Sequence, residues 1–418
     1  MKRALYPILW SLIFLSGQLL CAPPTAAYSV FTHEELIDLA WNESMRPILL
    51  ARFPGATDEQ LRIAHSYAYG GCAIQDMGYY PFGKEFFSNL THYVRTGDFI
   101  LWMFRNAHNI NELAFAMGAL SHYLGDSIGH SEAVNPATAV EFPKLAKKYG
   151  SSVTYGESPH GHIRTEFAFD VDELTNTEFA PPAYLKHIGF RVPRTFLSRA
   201  FLNTYGFDVG EILGPAHPAL RSYNSAVRSI IPLFAEAEVV LHRHKFPPQP
   251  DDEVYKQFLQ RVKKTNYDRH WKHTYRGPGI KAHLVAVLIV IVPKIGGAAD
   301  LAIKIPTEET QTEYLRSVIH TESAFRDALH NLAAQDDSPS RLVNLDLDTG
   351  NGTRRGDYPL ADEAHDHLLE RLTSRPDRVL PAALKRDLLK FYERNSSDPD
   401  PSKQVQAELD VLEKMKVK

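Results

Sequence analysis

Apolar residues recur at helical spacing over most of the 418-residue chain, and no convincing run of alternating apolar and polar residues interrupts them. The pattern predicts an all-α fold. The first predicted helix begins at Thr32 and Glu35, whose spacing is that of a capping box. The predicted helices lie at residues 32–50, 57–70, 109–130, 180–203, 218–244, 251–265, 360–372 and 380–393.

A proline-rich stretch at residues 246–250 is the best candidate for a boundary between regions. We expect one domain at residues 28–245 and a further helical C-terminal region, without an assigned role, at residues 251–418. Residues 283–292 are strongly apolar, but they fall well short of the roughly 20 residues that cross a bilayer. A buried helix is the preferred interpretation of this run, and a surface that touches a membrane is the alternative.

The N-terminus has the pattern of a secretory signal. Two basic residues at positions 2–3 precede an apolar run at 4–20, and small residues follow at 25–27. This order predicts a signal peptide at residues 1–27 that is cleaved before Tyr28, and therefore a secreted or periplasmic protein.

Composition adds two constraints. Hydrophobic residues make up 44% of the chain and charged residues 23%, as in soluble globular proteins, and the net charge of −4 gives no reason to expect a stable nucleic-acid partner. Cleavage of the signal would leave Cys72 as the one cysteine, so the hydrophobic core or a metal must hold the exported fold. A packed residue is the preferred interpretation of Cys72, rather than a nucleophile.

The strongest chemical pattern is a row of potential ligands at His122, Asp126 and His130. Spaced four residues apart, they lie along one face of the predicted helix 109–130. Burying such groups without partners would cost roughly 2–7 kcal/mol each, and a bound metal removes that penalty. His162 and Glu166 repeat the spacing and can bind one cation from a single helical turn.

The order and spacing of these residues resemble the zinc-dependent phospholipase C superfamily, which also includes trinuclear zinc nucleases. The string His122-Tyr123-Leu124-Gly125-Asp126 is very similar to the core motif of that family. The resemblance implies a multi-helix bundle that binds up to three Zn²⁺ ions. It implies as ligands the backbone of Tyr28 as the new N-terminus, followed by His33, Asp76, His92, His122, Asp126, His130, His162 and Glu166.

Two positions depart from the family pattern. The family usually begins with Trp where this chain has Tyr28, although ligation there uses backbone atoms. His130 follows Asp126 by four residues, whereas better-known members have a longer gap that contains a proline.

The resemblance also implies a mechanism of metal-assisted hydrolysis of a phosphodiester. Three Zn²⁺ ions and three carboxylates leave a net positive site that attracts the substrate, and zinc lowers the pKa of bound water toward about 7. Asp126 would bridge two of the ions. Asp76 would bind metal and act as the general base.

Three functions remain open at this stage. The leading one is a phospholipase C-like enzyme that cleaves a phospholipid, with peripheral membrane contact. A trinuclear zinc nuclease is the second, and Tyr79, Tyr80 and Phe82 beside Asp76 can serve either substrate or simply pack in the core. The third is a zinc-stabilised helical binding module without catalysis.

Overall fold

The computed structural model describes residues 29–176, 179–214, 216–274, 277–291, 303–333, 342–393 and 402–418. Within these residues the chain is all-α, which confirms the predicted fold class; its β-structure is limited to the isolated bridges Leu345–Gly352 and Leu380–Val417. The predicted signal peptide and Tyr28 lie outside the described residues.

The α-helices are numbered here in chain order. They are α1 Val30–Ala40, α2 Arg46–Arg52, α3 Asp58–Gly71, α4 Glu85–Tyr93, α5 Thr96–Asn106, α6 Ile110–Gly129, α7 Asn135–Glu141, α8 Pro143–Tyr149, α9 Pro159–Asn176, α10 Pro182–Ile188, α11 Arg194–Tyr205, α12 Val209–Leu213, α13 Ala216–Ser225, α14 Ile231–His242, α15 Glu253–Val262, α16 Asn266–His270, α17 Ile280–Ile291, α18 Glu308–Ala333, α19 Pro359–Thr373, α20 Ala382–Phe391 and α21 Lys403–Lys414. Short 3₁₀ helices lie at Gln75–Tyr79 and Lys272–Thr274.

Two of the long predicted helices, 32–50 and 218–244, contain a π-helical turn, and a third, 109–130, ends at the first residue of one. The turns are Trp41–Met45 between α1 and α2, His130–Val134 between α6 and α7, and Ala226–Ile230 between α13 and α14. Such turns insert an extra residue into the helical repeat and are frequent at functional sites. The turn at 130–134 begins with His130, the last residue of the predicted ligand row.

The start of helix α1 is capped by the side chain of Asp170 and not by the predicted capping box. The backbone N–H groups of Phe31 and Thr32 donate to the carboxylate of Asp170 at 3.0 and 3.2 Å, and the Thr32 hydroxyl donates to the same carboxylate at 2.9 Å. The prediction of a Thr32–Glu35 box is wrong because the acceptor comes from α9, far along the chain. Helix α3 does begin with a capping box, formed by Thr57 and Gln60.

Helix α6 is the centre of the core, and α3 packs closely against it. A Cβ atom on Gly118 would come within 2.1 Å of the Ala68 carbonyl oxygen, so the close crossing of the two helices requires glycine at this position. The crossing brings the C-terminal end of α3, and with it Cys72, against α6. Cys72 is buried, its thiol donates to the Tyr69 carbonyl, and burial raises its pKa well above the usual range, which disfavours a nucleophilic thiolate.

The residues after 250 pack against the N-terminal helices through α18. The hydroxyls of Thr32 and Tyr314 lie 2.7 Å apart, and the side-chain amide of Gln311 donates to Asp172 at 2.6 Å. Helix α18 also lies against α6. The boundary at 246–250 stays a prediction.

Helix α17 covers most of the apolar run predicted at 283–292, whose last residue lies outside the described part of the chain. One face of the helix, which includes Val285 and Ile289, is buried against α14. The opposite face is exposed at Ile280, Leu284, Val287, Val290 and Ile291. No helix among the described residues has the length and apolar character needed to span a bilayer.

Candidate metal centre

Three groups of buried side chains bring nitrogen and oxygen atoms together in the interior. The ligand atoms within each group all lie within 4.8 Å of one another. The first group is His33, His122 and Asp126; the second is Asp76, His92 and His122; the third is His130, His162 and Glu166.

His122 belongs to both of the first two groups, and Asp126 of the first group also faces His92 of the second. Oδ1 of Asp126 lies 3.2 Å from Nε2 of His33, and its Oδ2 lies 3.0 Å from Nε2 of His122 and 3.3 Å from Nε2 of His92. Nε2 of His92 also lies 3.3 Å from Oδ1 of Asp76. One carboxylate therefore faces three imidazoles, which come from α1, α4 and α6.

The third group is centred on Glu166. Its Oε1 lies 2.6 Å from Nε2 of His162, one helical turn earlier on α9, and 3.3 Å from Nε2 of His130. The rings of His130 and His162 meet edge to face with their centroids 4.6 Å apart. The row predicted on one helix is therefore divided, because His130 faces α9 whereas His122 and Asp126 face α1 and α4.

Backbone carbonyls fix which nitrogen of three histidines faces the groups. Nδ1 of His92 lies 2.8 Å from the Ser88 carbonyl, and Nδ1 of His122 lies 3.0 Å from the Cys72 carbonyl. Nδ1 of His130 lies 3.0 Å from the carbonyl of Leu347. A carbonyl only accepts hydrogen bonds, so we assign the proton of each neutral ring to Nδ1, which leaves the Nε2 lone pair directed at the carboxylates.

That arrangement fits a cation. Nε2 of His122 and Nε2 of His92 lie 3.3 Å apart, and two lone pairs at this distance repel unless a positive charge lies between them. Both oxygens of Asp126, Oδ1 of Asp76 and Oε2 of Glu166 have no hydrogen-bond partner among the described residues. Buried oxygen atoms of this kind are costly without a counter-charge, and imidazole with carboxylate is a donor set that suits Zn²⁺.

The pKa values of the buried side chains in the groups are also shifted by their surroundings. Burial alone would raise the pKa of Asp126, but His122, His33 and His92 together hold it well below its usual range. Burial raises the pKa of Glu166 to about 8 despite the contact with His130, and it lowers the pKa of His162 to about 4. A bound cation would stabilise the ionised form of Glu166 and would bind the neutral form of His162.

The local sequence explains how two of the ligands are placed. A Cβ atom on Gly125 would come within 3.0 Å of the His33 ring, so glycine at this position of α6 makes room for a ligand from α1. The 3₁₀ turn that carries Asp76 is tied to α4, because the Ser88 hydroxyl donates to the Gln75 carbonyl at 2.6 Å and accepts from the Gly78 N–H at 2.9 Å.

Of the nine predicted ligands, the structure describes eight and brings all eight into the three groups; Tyr28 lies outside the described residues. One buried carboxylate beside the centre, Asp348, is not among the nine predicted ligands. Its side chain lies 3.6 Å from Nδ1 of His130, and only the i, i+2 spacing of acidic residues at 346 and 348 hinted at it.

The aromatic residues near Asp76 separate into two kinds. Tyr79 and Tyr80 are buried, with the Tyr79 ring 5.7 Å from the ring of His92 and the Tyr80 ring 5.5 Å from that of Tyr223. Phe82 is 73% exposed on a backbone with a positive φ of 65°. The two tyrosines are therefore packing residues around the centre.

Comparison with known proteins gives one result that bears on this centre. Residues 32–206 match the family model described as zinc dependent phospholipase C, and the matched range contains all eight side chains of the three groups. No curated protein and no solved structure matches the chain significantly.

Proposed function

We propose that the protein is a zinc-dependent phosphodiester hydrolase that resembles phospholipase C and acts at a trinuclear site. The match of residues 32–206 to the zinc-dependent phospholipase C family supports a hydrolase with a zinc cofactor. The observation that carries the proposal is the convergence of eight nitrogen and oxygen side chains into three buried groups within that range.

The eight side chains would together hold up to three Zn²⁺ ions. His122 belongs to both the first and the second group but would bind one ion only, through Nε2, and Asp126, which faces His33, His92 and His122, would serve the first two groups. When bound, zinc supplies an acidified water as nucleophile and stabilises negative charge on the phosphoryl oxygens. The chain's own contribution is orientation, since the carbonyl bonds to Nδ1 hold His92, His122 and His130 with Nε2 toward the ions.

Asp76 is the proposed general base. Its Oδ1 is buried without a hydrogen-bond partner among the described residues and lies 3.3 Å from Nε2 of His92. A carboxylate oxygen in this position can accept a proton from the attacking water at the edge of the second group. Tyr28 remains the proposed terminal ligand, after export and cleavage of residues 1–27.

A phospholipid is the proposed substrate, and the exposed face of α17 supports it. Leu284, Val287 and Val290 are each more than half exposed and lie on one side of the helix, whose other side is packed against α14. An apolar stripe of this kind lies favourably in the interface of a lipid surface, where a phospholipid presents its phosphodiester.

The test is zinc analysis of the secreted protein together with a phosphodiesterase screen over phospholipids, DNA and RNA. We expect bound zinc, hydrolysis of a phospholipid, and a loss of at least about 100-fold in activity in Asp126→Asn and His122→Ala, because each removes a ligand from the point where the first two groups meet. Asp58→Asn, a substitution at a side chain that is 95% exposed, is the matched control.

A preparation without zinc, or full activity in Asp126→Asn, contradicts the proposal. Cleavage of nucleic acid in place of lipid selects the nuclease alternative. N-terminal sequencing of the same preparation tests Tyr28, because a mature chain that starts elsewhere removes the terminal ligand.

One observation favours a non-catalytic alternative. His33, His92, His122, Asp126, His130 and His162 are fully buried, and Asp76 and Glu166 are 2% and 1% exposed. Zinc in so closed a setting also suits a helical binding module stabilised by metal. Bound zinc with no hydrolysis of any substrate in the screen would establish this second function.

A further inference from the structure

A loop from the C-terminal region lies against the third group of the metal centre. The N–H of Leu347 donates to the His92 carbonyl at 3.1 Å, and its own carbonyl accepts from Nδ1 of His130 at 3.0 Å. The side-chain amide of Asn135 donates to the Asp348 carbonyl at 2.8 Å. The loop is therefore bonded to α4, to the π turn at His130 and to α7.

Asp348 is fully buried at the tip of this loop, and its two carboxylate oxygens have different surroundings. Oδ2 accepts the hydroxyl of Tyr93 at 2.8 Å and the hydroxyl of Tyr358 at 2.6 Å. Oδ1 has no hydrogen-bond partner among the described residues and lies 3.6 Å from Nδ1 of His130. The two phenols fix the carboxylate so that its second oxygen faces the histidine.

The geometry excludes Asp348 as a direct ligand of the third group. His130 directs Nε2 toward Glu166, and Nδ1, the nitrogen near Asp348, is on the other side of the same ring. The carboxylate thus lies behind His130 as viewed from Glu166. At 3.6 Å its contact with Nδ1 is an electrostatic one, while the Leu347 carbonyl takes the hydrogen bond.

We infer that Asp348 is a positioning residue for His130 that strengthens metal binding at the third group. A negative charge beside the Nδ1–H makes Nε2 a stronger electron donor and holds the ring in one orientation. The inference rests on the proposal that this group binds zinc, but it does not depend on the substrate. It extends the metal centre beyond residues 32–206, into the C-terminal region.

The experiment is a zinc titration of Asp348→Asn against a chelating indicator, with melting temperatures measured with and without zinc. We expect about one zinc equivalent to lose affinity by roughly 10–100-fold. The other equivalents should bind as in the wild type, and the rise in melting temperature on adding zinc should shrink. The metal-free melting temperature should change little, since asparagine can still accept from both tyrosines.

The control is Asp357→Asn, which removes an exposed carboxylate of the same segment that contacts Arg354. Tyr358→Phe is a second variant that keeps the carboxylate but removes one of its two donors, and we expect a smaller loss at the same zinc equivalent. If Asp348→Asn does not fold, the zinc affinity of Tyr358→Phe tests the inferred role of Asp348 in its place.

Zinc affinity in Asp348→Asn equal to that of the control overturns the inference. So does a loss that is confined to the metal-free melting temperature, because it would show a purely structural role. If the wild-type protein binds no zinc, the result contradicts the proposed function itself, and this outcome is distinguishable from a failure of the inference about Asp348.

Discussion

Single residues set the electrostatic character of the interior around the metal centre. Besides the carboxylates of the three groups, α9 carries Asp172, a buried acid that takes no part in them. Burial raises the pKa of Asp172 to about 7, although Gln311 and Asn176 bond to the carboxylate and lower it. Between about pH 4 and pH 7, Asp172 is therefore protonated in the folded chain and ionised in the unfolded chain.

This raised pKa makes stability depend on pH. The unfolded carboxyl ionises near its usual pKa of about 3.9 and the folded one near 7, so its stabilising contribution is complete below pH 4 and is lost as pH rises through 7. Asp172→Asn should remove this contribution to the pH dependence of the free energy of unfolding. Between pH 5 and pH 8 we expect the free energy of unfolding of the variant to gain about 2–3 kcal/mol relative to the wild type.

Urea unfolding at the two pH values measures the gain, with Asp58→Asn as the exposed control. A constant difference between variant and wild type across this pH range would show that Asp172 ionises at its ordinary pKa in the folded protein.

At the residue scale, the sequence predicts metal ligands well where two potential ligands are four residues apart on one helix. His122 with Asp126 and His162 with Glu166 are four residues apart on single helices, so local periodicity places each pair without tertiary information. Asp348 has no such neighbour. Its position depends on a loop that reaches the centre from a distant part of the chain, and a sequence pattern cannot report that contact.

At the element scale, helix ends show what local patterns miss. The predicted helix 180–203 is two helices, because Gly189 adopts a positive φ of 85° that ends α10. The start of α1 is similar. Thr32 and Glu35 have the spacing of a capping box, yet the N–H groups there are bonded by Asp170 of α9, an acceptor that no short window of sequence contains.

Asp170 should therefore be a main support of α1 and of His33 within it. Asp170→Ala removes the carboxylate that accepts from the buried Phe31 N–H and from the Thr32 hydroxyl. The Thr32 N–H also loses this acceptor and keeps only the Ser29 carbonyl, at 3.1 Å. We expect a loss of about 2–4 kcal/mol in the free energy of unfolding and weaker zinc binding at the first group. Urea unfolding and zinc titration measure the two effects.

The control for this variant is Asp58→Ala, at the first, exposed turn of α3. Equal stability of the two variants would contradict the assigned role of Asp170.

At the scale of the whole molecule, the exposed stripe of α17 gives a testable surface. Replacing Leu284 and Val287 with glutamate places charge on that face without touching the buried side against α14. We expect the double variant to lose most of its co-sedimentation with phosphatidylcholine vesicles and to keep its melting temperature, because charged groups do not enter the lipid interface.

Val379→Glu, which changes an exposed apolar residue elsewhere, serves as the control. If the double variant sediments with vesicles as the wild type does, α17 is not the lipid-facing surface.

The loop that bears Asp348 also has a consequence for how the protein matures. A ribosome makes the chain from its N-terminus, so all eight side chains of the three groups emerge before Asp348 does. During that interval His130 lacks both the Leu347 carbonyl and the carboxylate behind its ring. We therefore expect the third group to acquire its metal last, only after the segment that carries Leu347 and Asp348 has docked beside His130. A variant cut short before this loop would hold zinc less completely than the 418-residue chain.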